Sequence, residues 1–210
     1  QGDVGSGKTV VALVVALVVA HQGGQVALMA PTEILANQHF QTAQKFLGSF
    51  GIKIALLTSA LKKAAKQQLY ADLQAGAIDL VIGTHALIQS DVVFANLQLA
   101  IIDEQHRFGV LQRQALAEKA HLKPHLLSMT ATPIPRSLAL VLKNELKIIS
   151  IRHKPATRRP IQTTIISKNK QALMFDDVRA QLDQGRQGYV ICNLIEANEE
   201  SSRQSVEATY

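Results

Sequence analysis

Short runs of valine, isoleucine and leucine that do not alternate with polar residues constrain this 210-residue chain more than any other feature. They occupy residues 25–30 (QVALMA), 53–57, 80–83 (LVIG), 99–103 (LAIID), 125–129 and 148–151. A strand with one wet face alternates apolar and polar side chains. A run that stays apolar throughout suits a strand covered on both faces, as in a parallel sheet. Between the runs the apolar spacing changes to three and four residues. Ile34, Leu35, Ala36, Phe40, Ala43, Phe46 and Leu47 recur this way, as do Leu61, Ala64, Ala65, Leu69 and Leu73, and later Leu138, Val141 and Leu142. That is the spacing of one helix face. Strands alternating with helices need right-handed crossovers, which lay helices on a doubly wound parallel sheet. The expected fold class is α/β.

Composition allows such a core: hydrophobic residues make up 47% and charged residues 18%, which is too apolar for intrinsic disorder. The single cysteine, Cys192, excludes an internal disulfide and any CxxC metal or redox site. The longest unbroken apolar stretch, residues 10–20, is eleven residues, well short of the roughly 20 that span a bilayer. No basic, apolar, small-residue leader opens the sequence. A soluble, reducing, cytoplasmic setting is expected. The formal net charge is +6, which permits a phosphate or nucleic-acid partner.

Near residue 152 the pattern breaks. Residues 152–160 (RHKPATRRP) carry four basic side chains and two prolines, with no large apolar group. Proline blocks helix and removes a ladder donor, so this segment reads as a linker between a first domain, 1–151, and an incomplete second one, 161–210. In the second domain the spacing predicts a strand at 162–167, a helix at 172–182, a turn at 185–188 and a strand at 189–192. Two strands and one helix cannot bury both faces of a sheet.

Residues 2–9 (GDVGSGKT) match GxxxxGK[ST]. Glycines let such a loop turn its backbone N–H groups inward as a nest for anionic oxygens, and the helix that follows aims its positive end at the same place. Gly5, Ser6, Gly7, Lys8 and Thr9 are the candidate nucleotide-binding residues: the Lys8 ammonium reaches the β- and γ-phosphates, and the Thr9 hydroxyl ligates Mg²⁺. The loop requires a helix after it, so the valine-rich residues 10–20 are expected to be helical despite weak propensity. Apolar on every side, that helix is expected to be buried in the middle of the domain.

The run 99–103 ends in Asp103, followed by Glu104. Open α/β sheets bind ligands outside the carboxyl ends of their strands. Asp103 is therefore placed to hold Mg²⁺ with Thr9, and Glu104 to orient and deprotonate an attacking water. His106 is a further functional candidate beside this pair. HExxH is absent, which gives a zinc reading little support.

Five segments occur in order: GDVGSGKT at 2–9, APTEILANQH at 30–39, GTHAL at 83–87, DEQH at 103–106 and MTATPIPR at 129–136. They resemble motifs I, Ia, Ib, II and III of superfamily 2 helicases. DEQHRFGV at 103–110 and TATPIPR at 130–136 resemble, more narrowly, the RecG family of ATP-dependent DNA helicases. In the neighbouring transcription-repair coupling translocases a glutamate is expected where Gln105 stands. The resemblance implies a RecA-like first lobe and the start of a second. It also implies a monomeric motor that uses ATP and Mg²⁺ to move on double-stranded DNA, acting on branched substrates such as replication forks and Holliday junctions in recombination and repair. It makes Lys8, Asp103 and Glu104 the catalytic set. Pro31, Thr32, Glu33, Gly83, Thr84 and His85 become contacts to the DNA backbone, and His106, Thr130 and Thr132 couple nucleotide state to DNA.

The residues agree with that mode of DNA contact. Aromatic residues are 4% and tryptophan is absent, so base-stacking platforms are scarce. Contact would rest on hydroxyls, backbone N–H groups and basic side chains at phosphates, which carry no sequence code. Lys143, Lys147, Arg152, Lys154, Arg158 and Arg159 could contribute, whereas Lys62, Lys63 and Lys66 read as the wet face of a helix. Only Gln1 precedes the phosphate loop, so the strand that leads into such a loop is not in the sequence. Neither a junction-binding wedge domain nor motifs V and VI can be found. The arginine finger of motif VI is worth about 10³–10⁵ in rate. The chain thus reads as a fragment, expected alone to hydrolyse ATP negligibly and bind it weakly. Two other readings stand beside this one: the coupling translocase and a non-catalytic nucleic-acid-binding module. A P-loop kinase would leave GTHAL and MTATPIPR without a purpose.

Overall fold

A computed structural model of the chain describes residues 1–104, 115–116, 118–120, 123–131, 147–152, 161–167 and 171–191. Its contacts divide it into two compact units, Gln1–Arg158 and Arg159–Tyr210.

In the first unit the described strands are β1 (Gln25–Met29), β2 (Ile54–Leu57), β3 (Leu80–Gly83), β4 (Leu97–Asp103) and β5 (His125–Met129). The helices are α1 (Lys8–His21), α2 (Glu33–Leu47) and α3 (Lys63–Gln74). All strand pairings are parallel, in the order β2-β3-β1-β4-β5. β1 is central and all five of its residues are buried. The doubly wound α/β class read from the apolar runs is therefore what forms.

Strand side chains point alternately to two faces, and each face has its own core. On one, Val26, Leu28, Leu80, Ile82, Leu99 and Ile101 pack with Ala12, Leu13 and Ala16 of α1 and Ala36, Ala43 and Leu47 of α2. On the other, Ala27, Met29, Val81, Ala100 and Ile102 pack with Leu73 of α3, Leu87, Phe94 and Leu116. Helices thus cover both faces, which explains why the runs do not alternate.

Three expectations need correction. Helix α1 is not buried all round. Ala12, Leu13, Ala16 and Ala20 are buried, whereas Val10, Val11, Val14, Val15 and Val18 are 38–54% exposed. A helix lying on a sheet covers one side of itself, whatever its other sides carry. Residues 148–151 do not form a strand; they make a single parallel bridge, Gly2 with Ile151, with the Ile151 N–H donating to the Gln1 carbonyl at 2.8 Å. In the second unit the helix is present, α4 (Gln171–Asp183), but the described parts of 162–167 and 189–192 have no strand structure. Ile165 and Ile191 there are more than 90% exposed, since an extended segment without a ladder partner or a covering layer gains nothing from its apolar side chains. The helix read at Leu138, Val141 and Leu142 and most of the 152–160 segment lie outside the described residues. Among the described residues no helix is long and apolar enough to cross a membrane.

Candidate active site

Helix α1 starts at Lys8 with Gly7 as its N-cap, in the left-handed region at φ 93°. No side chain caps it and its first turn carries no acidic residue, so its leading N–H groups face outward with their positive end unopposed. Gly5 is also left-handed, at φ 77°. At both positions a Cβ would meet nothing within 4 Å, so the backbone conformation, not crowding, demands glycine. The Lys8 ammonium curls onto the loop's own entry, donating to the carbonyls of Gly2 at 2.7 Å and Asp3 at 2.9 Å. The Ser6 hydroxyl is buried without a hydrogen-bond partner among the described residues. Thr9 is half-buried in the first turn of α1. Turned glycines, an uncapped helix start, a lysine and an unsatisfied hydroxyl fit a polyphosphate.

The loop's position follows from one hydrogen bond: the Gly2 N–H donates to the Thr130 carbonyl at 3.2 Å. Thr130, itself buried, directly follows Met129, which lies opposite Asp103 in the β4–β5 register. The loop entry therefore lies against the end of β5, the neighbour of β4, at the carboxyl edge that carries the acidic pair.

Asp103 closes β4, and both its oxygens are engaged. Oδ1 accepts the Glu104 N–H at 3.0 Å, and Oδ2 lies 2.7 Å from Nε2 of His39 on α2. Glu104 adopts φ 49°, the one left-handed residue other than glycine among those described. Such a backbone costs about 1–3 kcal/mol and persists where its surroundings impose it. Among the described residues no group of three or more His, Cys, Asp or Glu side chains gathers around one point. A divalent cation here would depend on Asp103, the Thr9 hydroxyl and ligand oxygens. That donor set fits Mg²⁺, which is bound through one or two carboxylates plus phosphates and water.

The remaining candidates lie along the same edge. Pro31, Thr32 and Glu33 lead into α2. Thr32 is its N-cap, with the side-chain oxygen accepting the Leu35 N–H at 3.3 Å. The Glu33 carboxylate accepts the Ser59 N–H at 2.9 Å and the Ser59 hydroxyl, and Lys66 donates to the Ser59 carbonyl at 3.1 Å. The Ser59 hydroxyl holds the Glu33 carboxyl below the ordinary carboxylate range, with smaller help from backbone N–H groups and from His85. Glu33 thus ties the start of α2, just after β1, to the segment that follows β2. Gly83 has a packing reason of its own: a Cβ there would lie 2.4 Å from the Leu57 carbonyl oxygen. Thr84 is buried with its hydroxyl unpartnered among the described residues, and exposed His85 begins a 3₁₀ turn. His106 and Thr132 lie outside the described residues.

Sequence reasoning passed over His39 and Ser59. Ser59 had no signal. His39 had one: it stands on the buried stripe of α2 with Ala36, Ala43 and Leu47, a polar ring on an apolar face.

A family model for DEAD/DEAH box helicases matches residues 1–141. The ATP-dependent DNA helicase RecG of Synechocystis sp. is 49% identical over 200 residues, which are 95% of this chain and 24% of that protein. That of Aquifex aeolicus is 44% identical over 211 residues, 100% of this chain and 27% of that protein. The chain thus spans about a quarter of the length of these relatives. A solved structure of RecG bound to a three-way DNA junction matches 88% of this chain and 25% of that chain, with a TM-score of 0.73 at 42% identity. The helicase domain of Pyrococcus furiosus Hef matches 74% of this chain and 34% of that chain, with a TM-score of 0.55 at 20% identity, which shows the shared RecA-like fold. The likeness to RecG read from DEQHRFGV at 103–110 and TATPIPR at 130–136 is borne out at this level of identity. With its family match covering the whole phosphate loop and acidic pair, the chain belongs to the DEAD/DEAH box helicase family.

Proposed function

We propose that this chain is the nucleotide-binding core of an ATP-dependent DNA helicase of the RecG kind. ATP hydrolysis there drives translocation on double-stranded DNA, with fork reversal and Holliday junction branch migration as the outcome. The observation that carries the reading is the Gly2–Thr130 hydrogen bond, which puts the phosphate loop one strand away from Asp103. An acidic pair across the sheet from the loop would have served neither role.

In this reading the N–H groups of residues 5–9 and the start of α1 bind the β- and γ-phosphates, and Lys8 leaves the Gly2 and Asp3 carbonyls to meet them. Thr9 and Asp103 would hold Mg²⁺, which when bound neutralises charge that develops during phosphoryl transfer. Glu104 orients the attacking water and takes its proton. Its left-handed backbone, held by the N–H to Asp103 Oδ1, turns the side chain away from the strand's regular alternation.

DNA would lie along the carboxyl edge formed by Pro31, Thr32, Glu33, Gly83, Thr84 and His85. Thr130, together with His106 and Thr132, would link that edge to the nucleotide. The three-way junction in the solved RecG structure supports a branched double-stranded partner. We assign the protein to the cytoplasm as a motor working as a single copy, with residues 152–160 as the linker to a second RecA-like lobe starting in 161–210. Replacing Lys8 with alanine in the full-length protein is expected to reduce DNA-stimulated ATP hydrolysis to background in a phosphate-release assay. Retained hydrolysis would refute the site.

A further inference from the structure

The contact to which no role has been given is His39 against Asp103, spanning 64 positions of sequence. Both side chains are largely buried, at 10% and 13% exposure. An ionised carboxylate offers only acceptors, so the His39 Nε2 carries the hydrogen and donates it. Each carboxylate oxygen accepts from two directions. Oδ1 gives one to the Glu104 N–H and Oδ2 gives one to His39, which leaves one direction on each for a cation or its water. The two bonds come from different elements, the end of β4 and the middle of α2, so together they fix the carboxylate's rotation. With the backbone bond alone, the carboxylate could swing about its Cβ–Cγ axis.

We propose that His39 is a positioning residue for the metal carboxylate, holding Asp103 in the orientation that accepts Mg²⁺. The proposal rests on the reading of Asp103 as the Mg²⁺ ligand. It adds that the ligand hangs from α2, the helix whose start carries Pro31, Thr32 and Glu33. His39 lies seven residues beyond Thr32, about two helical turns along one rigid rod. A histidine that only filled its buried site would affect stability and leave metal affinity alone. A partner that orients a ligating carboxylate typically contributes 10–100-fold in metal affinity.

Calorimetric titration of the full-length protein with ADP, in Mg²⁺ and in EDTA, separates these roles. His39→Phe keeps the ring and loses the donor. It is expected to lose about tenfold of the affinity gain that Mg²⁺ gives, with ADP affinity in EDTA unchanged. His39→Gln, whose amide reaches where Nε2 stood, is expected to restore most of that gain, and His39→Asn, one methylene shorter, is not. This pair decides the matter even where His39→Phe does not fold by circular dichroism. An equal Mg²⁺ gain in wild type and in the Phe and Asn variants would overturn the proposal alone. So would a loss equal in Mg²⁺ and EDTA. Wild-type protein with no Mg²⁺ gain would overturn the reading of Asp103 and the proposal with it.

Discussion

Glu33 shows how one side chain can link two segments at the edge of the sheet. It follows the N-cap of α2, where a carboxylate also favours the helix dipole, and it reaches Ser59 beyond β2. Ser59 bonds to the charged form, so the folded pKa lies below the unfolded one. A lowered carboxylate pKa contributes stability that is present above the ordinary glutamate value and is lost as pH falls through the folded value. Wild type should therefore melt above a Glu33→Gln variant at pH 7, and the two should converge as pH falls below the ordinary glutamate range. A gap in melting temperature that is constant across that range would refute the ion's part. The gap should be small, because solvent reaches the carboxylate and screens it.

At the scale of elements, β1 is held by more than its ladders. Gln25, its first residue, is buried. Its Nε2 donates to the carbonyls of Leu73 at 3.0 Å and Ile78 at 2.9 Å, and its Oε1 accepts the Asn96 N–H at 2.9 Å. One side chain thus joins the end of α3 to the residues leading into β3 and β4. It also sits where the β1–β4 register shifts, between Gln25 and Val26, so its side chain rather than the ladder meets the Asn96 N–H. Gln25→Leu would keep the volume and strand the Ile78 carbonyl and the Asn96 N–H, while the Leu73 carbonyl keeps the Gly76 and Ala95 N–H groups, lowering stability by about 1–3 kcal/mol. In urea this should appear as a lower midpoint with an unchanged slope, and an unmoved midpoint would count against the staple.

For the whole molecule, the two units differ in how their backbone is satisfied. β1, β3 and β4 pair on both sides within a sheet whose faces are each covered. Residues 161–167 and 187–191 lie in no ladder, and Ile161, Ile165, Tyr189 and Ile191 are exposed. Amide hydrogen exchange should therefore show protection near the global limit in β1, β3 and β4 and almost none in 161–167 and 187–191. Comparable protection in both regions would show that the second unit is paired after all.

The sequence by itself determined the local half of this protein. Residues 26–29 and 80–83 are apolar throughout because both faces of their sheet are covered, and that requirement is written into each run separately. Gly5 and Gly7 could be read alone because glycine takes up a left-handed backbone at no steric cost, a preference set by the residue itself. Tertiary structure decided the rest. The strand order, the exposed valines of α1, the close approach of Leu57 to Gly83 and the pairing of His39 with Asp103 each depend on which distant segment becomes a neighbour. Periodicity tells a residue which side to bury. It does not say against what, because that choice is made by packing between elements that share no local pattern.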